Sequence, residues 1–130
     1  MKLSIGEIHN LYSSLQRMDG DASLKLKDTT RLAIVINLNK LLPIVQGYEN
    51  IRQKAYAELR QDGMNPQGIY ARDASLFEAQ FGQRDRELRE AVQDVGLKTI
   101  PLDDLKPTKG EHFISGMHWL RPMISDWPED

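Results

Sequence analysis

The first apolar stripe along the chain predicts an amphipathic helix over residues 4–18. Its apolar residues recur every three or four positions, as on one face of a helix: Ile5, Ile8, Leu11, Tyr12, Leu15 and Met18. Ser4 and Glu7 have the spacing of a capping box, in which each side chain accepts a hydrogen bond from the other residue's backbone N–H. The helix should end at Asp19-Gly20-Asp21, because glycine there can adopt the left-handed conformation.

A short alternating segment and a long helix are predicted next. Residues 24–27, Leu-Lys-Leu-Lys, alternate apolar and basic side chains, which is typical of a short strand. A helix over 29–61 follows, with the apolar stripe Leu32, Val35, Ile36, Leu38, Leu42, Val45, Tyr48, Ile51 and Leu59. Pro43 lies inside this helix and removes a backbone donor. We therefore expect a kink near Asn39 to Pro43, with a break into two helices as the alternative.

The second half of the chain has weaker patterns. Periodicity is lost over residues 63–82, so an irregular connector is predicted there. A third helix is expected over 83–95, and then a short strand over 97–102. Proline within this strand places it at a sheet edge, since proline cannot donate to the ladder. A final helix is predicted over 112–125.

Together these elements predict a single, mainly α domain, which suits a chain of 130 residues. Helices 29–61 and 83–95 would form a long antiparallel hairpin with a polar far end. The base of the hairpin would pack the N- and C-terminal helices and a small two-stranded β ribbon, made from 24–27 and 97–102. Apolar residues are densest at that base, so the core should lie there and leave the polar tip for a partner.

Composition fits one folded domain and excludes several kinds of site. Hydrophobic residues make up 40% and charged residues 28%, and the net charge of −2 gives no bias toward nucleic acid or anionic membranes. The absence of cysteine excludes disulfides, thiolate metal sites and cysteine nucleophiles. The first residues lack the long apolar run of a signal peptide, and segment 32–45 is too polar to span a bilayer. We therefore predict a cytoplasmic protein.

The polar residues form no recognisable catalytic or metal-binding set. His112 and His118 are six residues apart, on different faces of a helix, and His9 is distant in sequence, so no metal site is expected. Ser115 lacks the glycine two residues before it that a nucleophile elbow needs. There is no glycine-rich phosphate loop either. These observations predict a non-enzymatic protein without a cofactor.

Arginine residues form the one charged group that suggests a ligand site. Arg52 lies on the second helix, and Arg84, Arg86 and Arg89 lie on the third, so an antiparallel hairpin could bring them together near its tip. Guanidinium groups bind phosphates through paired hydrogen bonds. However, acidic residues are interleaved with these arginines, and intrahelical ion pairs on a solvated face are the simpler interpretation.

Five aromatic residues divide into two groups. Tyr70 and Trp127 lie in segments without periodicity, which makes them candidate partner- or ligand-binding residues. An aromatic ring in such a place can anchor an interface or stack on a base. Phe77, Phe81 and Trp119 are more typical of ordinary core packing.

Three parts of the chain resemble a family of small bacteriophage and prophage proteins of unknown function. They are the opening Met1-Lys2-Leu3-Ser4-Ile5-Gly6-Glu7-Ile8, the Leu24-Lys25-Leu26 that precedes a long charged helix, and the pairing of Ile100-Pro101-Leu102-Asp103-Asp104-Leu105 with Trp119-Leu120-Arg121-Pro122-Met123-Ile124. The resemblance covers residues 1–60 and 88–125. It implies a helical hairpin with a short strand and a final helix, in a phage product that acts in the bacterial cytoplasm. The family offers no catalytic residues to transfer.

Two functions are compatible with these observations. The leading hypothesis is a homo-oligomeric interaction protein that binds a host or virion protein. Tyr70 and Trp127 would be its anchors, with Arg84, Arg86 and Arg89 at the polar end. The alternative is a protein that binds a nucleotide or cyclic nucleotide and so counters host defence. In that case the arginines, together with Arg52, would hold the phosphate while nearby aromatics stack on the base.

Overall fold

The computed structural model describes residues 1–21, 24–64, 74–105 and 117–126. Its regular elements, in chain order, are β1 (Lys2–Ser4), α1 (Ile5–Asp19), α2 (Asp28–Met64), α3 (Ala74–Glu90), β2 (Val92–Asp94) and two 3₁₀ helices (Leu102–Leu105 and Met117–Met123). The predicted class, mainly α with a small two-stranded ribbon, is therefore confirmed. The elements that form the ribbon are different from those predicted.

Helix α1 begins at the predicted capping box. The Ser4 hydroxyl accepts from the Glu7 N–H at 3.1 Å, and the Glu7 carboxylate accepts from the Ser4 N–H at 3.0 Å. The helix ends at Asp19, and Gly20 caps it with its N–H donating to the Gln16 carbonyl at 3.1 Å. Gly20 has φ −84°, so the expected left-handed glycine is wrong. The end of the helix is as predicted, but its cap stays in the right-handed region.

Helix α2 is one continuous element that passes through Pro43, which excludes the break into two helices. Its buried face differs from the predicted stripe, because Leu32, Val35 and Ile51 are exposed. Val45 and Tyr48 are buried as predicted, but the other buried residues of the helix were not in the stripe and include small and polar ones: Thr30, Ala33, Ile34, Asn37, Leu41 and Ala55. The predicted stripe was assigned from large apolar residues alone, so it lies on a face of α2 that is rotated from the buried face. Smaller alanine, threonine and asparagine side chains lie on the buried face, where they allow closer packing.

The predicted ribbon of 24–27 with 97–102 is wrong. Strand β1 pairs antiparallel with β2, and Leu3 lies opposite Gln93. Residues 24–27 form no strand, and segment 97–102 contributes only an isolated parallel bridge between Ile100 and Ile124. The observed ribbon forms because the start of α1 and the end of α3 meet in space.

Helix α3 begins earlier and ends earlier than predicted. The irregular connector assigned to 63–82 is helical from residue 74 onward, while residues 65–73 lie outside the described part. The predicted helix over 83–95 stops at Glu90, because the following residues pair with β1. Two aromatic residues four positions apart, Phe77 and Phe81, stack at 6.3 Å on one helix face. The four-residue spacing of these aromatic residues is typical of one helix face, and it is the sequence signal for the helical turns over 74–82 that were assigned to the connector.

The final helix predicted over 112–125 is also corrected. Met117–Met123 is a 3₁₀ helix that contains Pro122, and residues 112–116 lie outside the described part. Leu120 and Met123 are fully buried, and they close the core over α1 and α2. This core lies at the base, as predicted, and the largest fully buried side chains there include Ile8, Leu11, Leu15, Ile34, Leu41 and Leu105.

Candidate functional site

A polar cluster joins α2 to α3 above the core. The Tyr48 hydroxyl donates to the Asp85 carboxylate, and the Arg52 Nε lies 3.4 Å from the same oxygen. Tyr48 is 5% exposed, and its burial, followed by the hydrogen bond and charge of Asp85, raises the pKa of its phenol. The phenol therefore remains a proton donor to Asp85, and Arg52 compensates the charge of the carboxylate. This cluster fixes the register of the two helices.

Arg52 has a second contact within the hairpin. Its guanidinium carbon lies 5.1 Å from the centre of the Phe81 ring, which is a cation–π arrangement. Tyr56 meets Phe77 and Phe81 edge-to-face at 5.3 and 5.5 Å. Phe77 is buried and Phe81 half-buried, so both pack inside the hairpin. Arg52 is thus a packing residue between α2 and α3.

The other arginines of the predicted set separate into two places. Arg84 forms an ion pair with Glu58 at 2.9 Å across the hairpin, and both side chains are substantially exposed. Arg86 and Arg89 line an open concavity of about 520 Å³ beside Asp85. Arg89 also lies against the start of α1, where a Cβ on Gly6 would be 3.5 Å from the arginine Nε.

The arginines do not all meet at the hairpin tip: Arg52, Arg86 and Arg89 lie beside Asp85, and Arg84 pairs with Glu58. Arg89 touches the first turn of α1 at the base, and Arg52 and Arg84 are each paired across the hairpin. Asp85 and Arg84 of α3 pair with Arg52 and Glu58 of α2, so these ion pairs join two helices and are not the intrahelical pairs expected from the sequence. Tyr70 and Trp127, the two aromatic candidates, lie outside the described residues.

Trp119 corrects another expectation. It was assigned to the core, but it is 38% exposed. It lies in the second 3₁₀ helix, in which Leu120 and Met123 take the buried positions. With a three-residue repeat, Leu120 and Met123 share one face, and Trp119 lies off it.

An uncharged surface runs along the solvent side of α2, and the sequence analysis did not identify it. We call it the outer face; it consists of Leu32, Val35, Asn39, Pro43, Gln46 and Asn50, all of which are exposed. Leu32 is 59% exposed and Val35 39%. At about 1.5 Å per residue the outer face is about 27 Å long.

Two charged residues, Lys40 and Glu49, lie within this stretch of α2, and Arg31 directly precedes it, but each is engaged elsewhere. The Arg31 guanidinium donates to the Leu24 carbonyl at 2.6 Å, and the Lys40 ammonium donates to the Gly96 carbonyl at 2.7 Å. Glu49 lies 3.5 Å from His9 of α1. These contacts place the charges on the flanks of α2 and leave the outer face neutral. The sequence signal was the three- and four-residue spacing of these uncharged residues, of which Leu32 and Val35 were assigned to the buried stripe.

Within the described residues, no group of three or more histidine, aspartate or glutamate side chains is placed to hold a metal ion. Every helix in that part of the chain is too short or too polar to cross a lipid bilayer. Comparisons with protein families, curated proteins and solved structures find no match for this chain.

Proposed function

We propose that this chain is a non-enzymatic interaction protein that forms a homo-oligomer through the outer face of α2. The observation that carries the proposal is the neutrality of this face in a protein with 28% charged residues. Depletion of charge distinguishes the buried centre of a protein interface from ordinary surface. The apolar residues Leu32 and Val35 supply one end of the face, and amide side chains supply the rest.

A second copy of the same chain is the partner that fits this face. Two α2 helices can lie antiparallel around a two-fold axis, so that each outer face meets the other. In such a pair the apolar end around Leu32 lies over the amide end around Asn50. A neutral face can meet itself without opposing like charges, and asparagine and glutamine side chains both donate and accept hydrogen bonds.

The oligomer would act on a second protein. The resemblance to phage proteins supports a host or virion protein as this target and the bacterial cytoplasm as the place of action. The hairpin beyond the core is the part of the molecule available for that contact. It presents Tyr56 and Leu76, which are 37% and 44% exposed, among charged side chains. This composition suits a protein surface.

Nucleotide binding is the second candidate function. The observation that favours it is the concavity lined by Arg86 and Arg89, two residues that could hold a phosphate. Asp85 and Glu90 line the same concavity and weaken its attraction for anions. Arg52 and Arg84 are engaged in ion pairs within the hairpin. We therefore rank this function below self-association.

Charge introduced on the outer face tests the proposal. We expect the wild-type chain to form a dimer or a larger closed assembly, measured by light scattering after size-exclusion chromatography over a range of concentrations. The double substitution Val35→Glu and Gln46→Glu should shift the mass toward the 14.9 kDa monomer. The four new charges in a dimer repel one another and are costly to bury at an interface. Both positions are exposed, so the fold should persist.

The matched control carries the same two charges elsewhere. Gln80→Glu on α3 and Gln93→Glu on β2 are exposed positions away from the outer face, and this variant should keep the wild-type mass. Circular dichroism of all three proteins checks that each is folded. A wild-type monomer at every concentration would contradict the proposal, as would equal masses for the two double variants.

A further inference from the structure

A groove lies between the first turns of α2 and the extended segment 98–104. Its volume is about 350 Å³, within the range of small-molecule pockets. Ala33 and Ile36 of α2 form one apolar wall, and Ile100 and Pro101 form the opposite one. Ile100 is itself held in place, because its N–H donates to the Met123 carbonyl at 2.8 Å. The groove therefore has a fixed apolar interior.

The polar end of the groove is the beginning of α2. Arg31 is the first residue of the helix whose N–H is bonded, to the Lys27 carbonyl at 3.0 Å. The N–H groups of residues 28–30 have no hydrogen-bond partner within the described part of the chain. Such free donors at a helix start carry a partial positive charge and favour an anion.

Thr30 supplies an independent observation at this end of the groove, an unpaired polar group. It lines the groove and is 1% exposed, and its Oγ1 has no partner among the described residues. A buried hydroxyl without a hydrogen bond is destabilising and calls for an explanation. Threonine in a helix uses two χ1 rotamers, so this hydroxyl can turn to donate to a ligand in the groove.

A lysine completes the polar end. Both backbone groups of Lys98 are bonded to the Asn37 side chain, at 2.8 and 2.9 Å, which fixes the base of its side chain at the groove. Its ammonium group forms no hydrogen bond or ion pair within the described residues. The carboxylate of Asp104 also lines the groove, but Lys27 compensates its charge at 2.8 Å.

We propose that this groove binds a small amphipathic carboxylate. The apolar body of the ligand lies between the two walls, and its carboxylate accepts hydrogen bonds from the free N–H groups of α2 and from the Thr30 hydroxyl. Lys98 balances the charge. Leu32 borders both the groove and the outer face, but the tests use different residues: Thr30 and Lys98 for the groove, and Val35 and Gln46 for the outer face.

Titration with sodium octanoate, followed in ¹H–¹⁵N NMR spectra, tests the site. Saturable shifts are expected at the amides of residues 28–30 and 98–100, with octanoate binding more tightly than either 1-octanol or inorganic phosphate. The neutral alcohol lacks the anion, and phosphate lacks the apolar body. Equal binding of 1-octanol would overturn the anionic part of the proposal, and equal binding of phosphate would overturn the apolar part.

Two substitutions at the polar end should weaken octanoate binding by about tenfold each, the loss of one charge-assisted interaction. Thr30→Val keeps the shape of the side chain and removes the unpaired hydroxyl, so it should not lower the stability of the free protein. Lys98→Gln removes the charge and keeps the backbone bonds to Asn37. The control Lys54→Gln removes an exposed lysine elsewhere on α2 and should bind octanoate as the wild type does.

Three outcomes of these experiments would overturn the proposed site. Wild-type affinity in Thr30→Val would overturn the role of the hydroxyl and with it the proposed site. Shifts confined to residues outside the groove, or no saturable shift at millimolar octanoate, would overturn the proposal as a whole. None of these outcomes bears on the oligomeric state, which the outer-face variants measure.

Discussion

Asn37 shows how one polar residue joins two parts of this fold. It is 0% exposed, and its amide accepts from the Lys98 N–H at 2.8 Å and donates to the Lys98 carbonyl at 2.9 Å. These two bonds replace a strand partner for segment 95–100. The buried Asn37 amide is tolerated because both its oxygen and its nitrogen form hydrogen bonds. Sequence periodicity could not reveal it, because its partner lies 61 residues away.

Removing the Asn37 amide should be costly. We expect Asn37→Ala to lower the free energy of unfolding by about 1–3 kcal/mol, since it removes a fully buried side chain and leaves two part-buried backbone groups of Lys98 without that partner. Urea denaturation followed by circular dichroism measures this change. Gln53→Ala is the matched control, an exposed amide of the same helix that should change the stability by less than about 0.5 kcal/mol. A similar loss in both variants would contradict the role of Asn37.

Helix α2 carries two weak helix formers in its interior, and packing compensates for both. Pro43 and Gly47 lie within the 37-residue helix, where each is unfavourable relative to alanine. Neither interrupts the helix, because contacts with α1 and the 95–124 region stabilise it on the buried side. A Cβ on Gly47 would meet no atom within 4 Å, so no close contact requires glycine there.

Gly47→Ala should therefore stabilise the protein. The expected gain is about 0.5–1 kcal/mol, because alanine has less conformational freedom to lose on folding and the site has room for a methyl group. Thermal and urea unfolding give the measurement. The reciprocal change Ala57→Gly, at an exposed position of the same helix, should destabilise by a similar amount. A loss of stability in Gly47→Ala would contradict the assignment of this position to an unstrained helix interior.

On the scale of the whole molecule, buried apolar residues are denser at the base than in the hairpin. The main core cluster draws on α1, the first half of α2 and the 95–124 region, and contains no residue of α3. Beyond the core, the hairpin is held by Ala55 and Phe77, which are buried, and by the polar cluster around Asp85. Local stability follows the density of buried apolar contacts. The base and the hairpin should therefore open with different free energies.

Hydrogen exchange should resolve this difference. Amides in residues 54–58 and 77–82 are expected to exchange faster than those in 8–15 and 37–48, measured by mass spectrometry or NMR. Phe77→Ala should speed exchange in the hairpin segments and leave the base segments close to wild type, because its contacts lie outside the main core. Uniform protection across both regions, or a loss of protection in the base of this variant, would argue against two levels of stability.

Local features of this protein could be predicted from its sequence. The capping box at Ser4 and Glu7, the end of α1 and the helical character of α2 on either side of Pro43 depend on residues within one or two turns of each other. Hydrogen bonds and side-chain contacts over such distances are formed by the helix itself. The position of the core at the base also followed from the sequence, because apolar residues are densest there.

Features that depend on distant residues were decided only by the tertiary structure. The sequence alone determined the helical class and the beginning of α1. Tertiary contacts decided that β1 pairs with β2, that Arg52 pairs with Asp85, and that Leu32 lies at the surface while Asn37 is buried. The physical reason is that a three-to-four-residue repeat specifies a helix face, but the neighbour that covers that face is set by packing between segments far apart in the chain.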